Sequence, residues 1–302
     1  MPSLLWTGTL SPSMKLLVNT SNIFAWITGN ARDTISMKMR MKLGYNAEVT
    51  DSVTRYDELG LEHYTKVSQD LLQNIELENK KLLDVGCGTG ILSLAALTGG
   101  AKTITCGDQS SYMLNMCRDK IKSMGYGEDK VSCRELDAES LPFQDGSFDI
   151  TVSSMVLGLV PDQEKMIREM SRVTSKKGIV AIATHGTEHY KEATENAFKV
   201  VPKRYVFGYR IEYWPRSEKY IRTLLNKAGL NEVRTMRSTW QDNFQTGRDL
   251  FEFFMATSSS WWCAKYPRDK ISEVTEKTIS YLDKKGITQF TQDIIFGYGI
   301  KA

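Results

Sequence analysis

The strongest constraint on this chain is the run Leu82-Leu83-Asp84-Val85-Gly86-Cys87-Gly88-Thr89-Gly90, an apolar strand that stops on three alternate glycines. Glycine visits positive φ freely and carries no Cβ, so such a turn brings the backbone unusually close to something. In open α/β sheets, a nucleotide-like ligand sits at the carboxyl end of a strand like this, beside a helix N-terminus. A tight strand-to-helix turn with no ligand is the plainer reading of Gly-x-Gly alone, and the spacing decides between ligands. A dinucleotide fingerprint needs its third glycine at position 91, which is Ile91, and no Gly-Lys-Ser/Thr ending marks a triphosphate loop. Asp84, inside the strand end, repels a pyrophosphate but suits a ligand with positive charge.

Downstream residues extend the pattern. Thr103 to Asp108 reads as a second short strand ending in an acid, eighteen residues past Gly90, where a βαβ unit sets a carboxylate against ribose hydroxyls. Ser110 or Ser111 caps the next helix, in which Met113, Leu114, Cys117, Ile121 and Met124 recur at helical spacing before Gly125 stops it. Then come Asp137-Ala138-Glu139-Ser140-Leu141-Pro142-Phe143, Asp145-Gly146-Ser147-Phe148-Asp149, and the strand Ile150 to Val152 ending on Ser153-Ser154.

Together with Arg172-Val173, Lys177-Gly178 and the run from Leu224 to Leu230, these motifs resemble a class I S-adenosylmethionine-dependent methyltransferase of the small-molecule, quinone-methyltransferase-like group. The resemblance covers about residues 50 to 240. It implies an α/β fold, with a Rossmann-like, mostly parallel seven-stranded sheet, helices on both faces and a helical cap over the acceptor site. It also implies S-adenosyl-L-methionine as cofactor. Gly86, Gly88 and Gly90, with Cys87 between them, would then meet the methionine part, and Asp84 would hold the loop or the ammonium. Asp108 would take the ribose hydroxyls with Gln109 beside it, and Met113 would pack on the adenine. Asp137 and Ala138 would face the adenine edge, and Ser153 the methionine moiety. Against these stand structural readings, with Asp84 as a loop cap and Asp137 as a turn acid.

Composition fits a globular enzyme: 302 residues, 41% hydrophobic and 25% charged, with a formal charge of +3, too slight to argue for nucleic acid. No apolar run is long enough to cross a bilayer. The odd number of cysteines reads as a reducing compartment, so the expected location is cytoplasmic. The five cysteines (Cys87, Cys106, Cys117, Cys133 and Cys263) show no Cys-x-x-Cys spacing, so neither a disulfide framework nor a metal site is expected. Residues 1–46 hold five bases against the single acid Asp33. They are read as a basic arm, packed on a catalytic domain spanning 47–302, or as a targeting segment, which would make the location mitochondrial or another organelle.

Tyr56 to Leu72 reads as a helix just before the glycine loop, where related enzymes fold an aromatic-bearing helix over the cofactor, so Tyr56 and Tyr64 are lid candidates. Two aromatic-rich insertions, about 186–216 and 240–292, form the expected cap, and Tyr209 and Trp214 are its candidate acceptor contacts. Most of these rings are expected to be core. Asp293 to Ile300 is read as a closing strand.

Methyl transfer from a sulfonium needs in-line positioning and exclusion of water more than covalent help. A phenol, hydroxyl or carbon acceptor also needs a base, and His185, after the strand Ile179 to Ala183, is the candidate among His63, His185 and His189. Gly158 stands where many relatives have a histidine, and no Asn/Asp-Pro-Pro-aromatic motif follows the fourth strand. The expected activity is methylation of a small apolar or aromatic molecule. A protein methyltransferase and a non-catalytic cofactor-binding protein are the alternatives, and oligomeric state is left open.

Overall fold

The computed structural model describes residues 55–200, 217–257 and 268–302. The basic stretch 1–46, Tyr209 and Trp214 lie outside the described residues. The strands are β1 (Lys81–Val85), β2 (Thr103–Asp108), β3 (Val131–Glu135), β4 (Phe148–Ser154), β5 (Thr174–His185), β6 (Leu230–Asn243) and β7 (Gln289–Lys301). The helices are α1 (Tyr56–Leu72), α2 (Ile91–Thr98), α3 (Ser111–Ser123), α4 (Gln163–Val173), α5 (Lys191–Val200), α6 (Glu218–Lys227), α7 (Gly247–Thr257) and α8 (Arg268–Lys285).

One seven-stranded sheet results, in the order β3-β2-β1-β4-β5-β7-β6. The first five strands pair in parallel, and β7 runs antiparallel to β5 with His185 opposite Ile294. Because β2 lies on one side of β1 and β4 on the other, the carboxyl ends of β1 and β4 form a switch point, where such sheets leave a crevice.

Side chains alternate across a strand, so each strand feeds both faces. On one face Leu83, Val85, Val180, Ile182 and Ile295 pack with Met166, Ile167 and Met170 of α4 and Leu224 and Leu225 of α6. On the other, Asp84 meets Ser93 of α2, and the Tyr298 hydroxyl donates to the Leu71 carbonyl of α1 at 3.1 Å. Helices therefore cover both faces.

Local signals set the ends of these helices. Ser110 caps α3 by accepting the Met113 N–H, and Asp162 caps α4 by accepting the Lys165 N–H. The α3 face of Met113, Leu114, Cys117 and Ile121 is buried as its spacing predicts. Met124 departs from that expectation: it is 58% exposed, because the helix closes at Ser123 and Gly125 turns away at φ +82°.

The described residues fall into two compact units. The first holds the described parts of Leu61–Thr187, Tyr213–Ser238 and Ile294–Ala302, with the sheet core and the hydrophobic cluster above. The second holds those of Met1–Gly60, Glu188–Glu212 and Thr239–Asp293. In the second unit Tyr190, Phe253, Phe254 and Phe290 pack ring against ring, with 4.9 Å between the centroids of Tyr190 and Phe290. The sequence expected most such rings to be core, and buried Tyr190 and Phe290 are. Glu192 accepts from both the N–H and the hydroxyl of Thr291, and Asp293 accepts the Glu188 N–H, which fixes α5 to the start of β7. No helix among the described residues is long and apolar enough to cross a membrane.

Candidate active site at the ends of β1 and β4

The chain leaves β1 at Val85 and turns through three glycines at positive φ: Gly86 at +74°, Gly88 at +53° and Gly90 at +84°. Gly86 and Cys87 both donate their N–H to the Gly107 carbonyl at the end of β2, at 2.7 and 2.9 Å. The three glycines are needed for different reasons. A Cβ on Gly86 would lie 2.3 Å from a methyl of Val156, and one on Gly90 would lie 2.6 Å from the Cys117 sulfur. Those two make room for the protein itself. A Cβ on Gly88 would meet nothing within 4 Å, so its side of the loop is open.

Asp108 faces that loop from the end of β2. Its carboxylate accepts the Gly88 N–H and the Ser110 N–H, both at 2.9 Å. Burial raises its pKa, while the backbone donors of Ser110, Gly88 and Gln109 pull the other way. Gln109 is half-buried next to it, and Met113 is buried one turn into α3.

Asp84 lies deeper. It is 1% exposed and accepts the Ser93 hydroxyl at 2.7 Å, and Ser93 in turn accepts from the Cys106 thiol. Burial pushes its carboxyl up to about 7, and the charge of Asp108 adds to the rise. Ser153 is also buried, and its hydroxyl donates to the Val85 carbonyl at 2.7 Å, tying β4 to β1 where the loop begins.

Asp137 and Ala138 follow β3. The exposed Asp137 carboxylate accepts the Glu139 N–H at 2.9 Å and closes a turn, and Ala138 packs on the core cluster. The Leu136 N–H donates to the Asp108 carbonyl, which brings this turn beside the β2 end. Two supports of the turn are not apparent from the sequence. Glu139 is buried and accepts the Asp162 N–H at 3.0 Å. Arg172 of α4 donates to the carbonyls of Leu141 and Phe143 and pairs with Glu169 and Asp145. The glycine loop has a support of its own in Lys120, which donates to the buried Thr89 hydroxyl at 3.1 Å. Only the position of Arg172 in the motif order hinted at any of the three.

His185 ends β5 and is buried near His63 of α1, which lies edge-on to Tyr64 with 4.9 Å between ring centroids. Burial, and to a lesser degree the charge of His63, lower the His185 pKa to about 3. Tyr56 and Tyr64 are half-buried on α1. The structure thus gathers Asp84, the glycine loop, Asp108, Gln109, Met113, Asp137, Ala138 and Ser153 around the β1, β2 and β4 ends. His185 stands at the end of the neighbouring strand.

Residues 83–182 match the family model described as a methyltransferase domain. Demethylmenaquinone methyltransferase of Bacillus pumilus is 30% identical over 178 residues, which cover 54% of this chain and 75% of that relative. The chain belongs to the class I S-adenosylmethionine-dependent methyltransferases. Phosphatidylethanolamine N-methyltransferase of Cereibacter sphaeroides is 37% identical to this methyltransferase over 112 residues, 37% of this chain and 54% of the relative. The chain spans about half the length of several such curated relatives. Phosphoethanolamine N-methyltransferase 2 of Haemonchus contortus, solved with phosphomonomethylethanolamine and S-adenosylhomocysteine, superposes at a TM-score of 0.57. It is 17% identical, with 87% of this chain and 59% of that chain covered, a likeness of fold alone. In this methyltransferase the family match spans β1 to most of β5, and so includes the glycine loop, Asp108 and Ser153.

Proposed function

We propose that this methyltransferase transfers the methyl of S-adenosylmethionine to a small apolar or aromatic acceptor by direct in-line displacement. The observation that carries the reading is the open side of Gly88 beside the Asp108 carboxylate. The backbone there leaves room for a ligand, and Asp108 offers a ribose two acceptor oxygens. Met113 and Ala138 supply apolar contact for the adenine, and Asp137 an acceptor for its amino group. Asp84, beneath the loop, answers the cationic methionine end, and Ser153 holds the strand ends in register. Tyr56 and Tyr64 stand on the helix that leads into this core.

The acceptors named for two relatives support a small acceptor: demethylmenaquinone for one, phosphatidylethanolamine for the other. The slight positive charge supports no nucleic-acid partner. His185 is the proposed acceptor-side group. With a pKa near 3 it is a neutral imidazole throughout the physiological range, able to accept a hydrogen bond but holding a proton weakly.

Three experiments test the reading. Asp108→Ala should weaken S-adenosylhomocysteine binding by about 2–3 kcal/mol in calorimetry, through loss of charge-assisted hydrogen bonds. Unchanged affinity would defeat the assignment. Tritiated methyl donor should label the extracted small-molecule fraction, whereas label confined to precipitated protein would make this a protein methyltransferase. For His185, replacement by Gln should lower kcat by about 100-fold while leaving S-adenosylhomocysteine affinity unchanged. Equal loss of both would make its role structural.

A further inference from the structure

Cys87, Cys106 and Cys117 come from three different elements, the glycine loop, β2 and α3, yet their sulfurs all lie within 4.8 Å of one another. All three are buried and none is oxidised. Cys133 of β3 adds a fourth sulfur 3.9 Å from that of Cys117. The reading of this chain as a methyltransferase, on which the coupling below rests, places Cys87 in the cofactor loop but gives the cluster of thiols as a whole no part. We propose that they form a site for a soft divalent d10 cation of the zinc group, seated directly beneath the cofactor loop.

Geometry, softness and charge all favour this ligand class. Thiolate sulfur selects soft ions. Tetrahedral zinc with sulfur bonds of about 2.3 Å sets its ligands roughly 3.8 Å apart. The Cys117–Cys133 separation already matches that edge, and the sulfurs of Cys87, Cys106 and Cys117 need to converge by at most about 1 Å. Metal entry displaces the protons of the thiols it binds. Three thiolates around a divalent ion leave one negative charge. Lys120, one turn after Cys117 on α3 and bonded to Thr89 of the loop, supplies a neighbouring positive one.

The site is wired to the crevice. Cys106 and Cys117 are held by a strand and a helix, so convergence falls on Cys87 in the loop. The N–H groups of Gly86, Cys87 and Gly88 hold the Gly107 carbonyl and the Asp108 carboxylate. Drawing Cys87 inward loosens those bonds and closes the space beside Gly88. Metal and methyl donor therefore compete, although no ligand atom is shared.

The test uses the full chain carrying Cys263→Ala, so that only the clustered thiols report. Titration with Cd2+ should give one equivalent bound, with a thiolate-to-metal ultraviolet absorption of at least three sulfurs. Cys106→Ala and Cys117→Ala, checked for an unchanged thermal melt, should each weaken Cd2+ at least tenfold and remove one sulfur's share of the absorption. If either variant unfolds, Cys117→Ser serves in its place. Loaded protein should bind S-adenosylhomocysteine at least tenfold more weakly than metal-free protein. Absorption of a single thiolate, or equal Cd2+ affinity in the variants, overturns the site. Cofactor affinity indifferent to Cd2+ overturns the coupling. Failure of the metal-free protein to bind S-adenosylhomocysteine would instead strike the proposed enzymatic function and leave the Cd2+ stoichiometry standing.

Discussion

At the residue scale, the glycine loop separates conformational from steric demand. Gly86 and Gly88 share positive φ, but only Gly86 faces protein, with Val156 against the position of its missing Cβ. Gly88→Ala should therefore cost about 1 kcal/mol of stability, the strain of a left-handed non-glycine residue, and weaken the cofactor by crowding the open side. Gly86→Ala adds an overpacked contact to the same strain and should cost about 2–5 kcal/mol. Urea denaturation of both variants checks the order, and equal losses would mean that Val156 yields without cost. A β-branched residue at Gly88 blocks the same space more fully, while the core beneath it stays packed.

At the scale of elements, the turn after β3 borrows its rigidity from α4. Arg172 satisfies the Leu141 and Phe143 carbonyls at 2.9 and 2.8 Å and is held by Glu169, whose carboxyl it keeps below the usual range. Glu169 also accepts the Leu141 N–H at 2.8 Å. Removing the guanidinium leaves two partly buried carbonyls to find new donors, at about 1–3 kcal/mol. Arg172→Ala should thus lower the thermal midpoint, and hydrogen exchange should quicken between residues 137 and 145 more than in β1. Uniform loss of protection across the sheet would refute the local role. Salt should matter little, because the bonds that count go to backbone carbonyls rather than to the exposed Asp145.

On the scale of the whole molecule, two buried titratable groups bend stability in opposite directions with pH. Asp84 is raised from its ordinary value of 3.8 to about 7, so between those values the folded chain holds a proton that the unfolded chain has released. Its stabilisation is complete below the unfolded pKa and is lost as pH rises through the folded one. His185 is lowered from 6.5 to about 3, so its contribution is complete above the unfolded pKa and is lost as pH falls towards 3. Between about pH 4 and 6.5 the two slopes oppose each other, each tending to about 1.4 kcal/mol per pH unit. Asp84→Asn keeps an acceptor for Ser93 and removes one slope. Its stability relative to the parent should rise by about 2–3 kcal/mol from pH 5 to 7.5 in urea denaturation. A pH-independent difference would show that Asp84 titrates normally.

Much of the fold was legible from the residue pattern because its signals are local. Strand β2 runs from Thr103 to Asp108 and α1 from Tyr56 to Leu72, the bounds their patterns predict, since periodicity and caps act over neighbouring residues. The three-glycine turn and the acid at the end of β2 were visible for the same reason. Met124 keeps the helical spacing on paper but is the cap residue directly after Ser123, where the helix ends, so it falls off the buried face.

Sequence by itself determined the alternation of elements, the glycine turn and the acids at the strand ends, since each follows from the chemistry of residues close together along the chain. Tertiary structure alone decided which glycine faces open space, how deeply Asp84 and His185 are desolvated, and that cysteines at 87, 106, 117 and 133 gather in one place. Burial and proximity are set by the pairing order of strands and the seating of helices across them. Those are sums over distant residues, and no spacing along the chain encodes them singly.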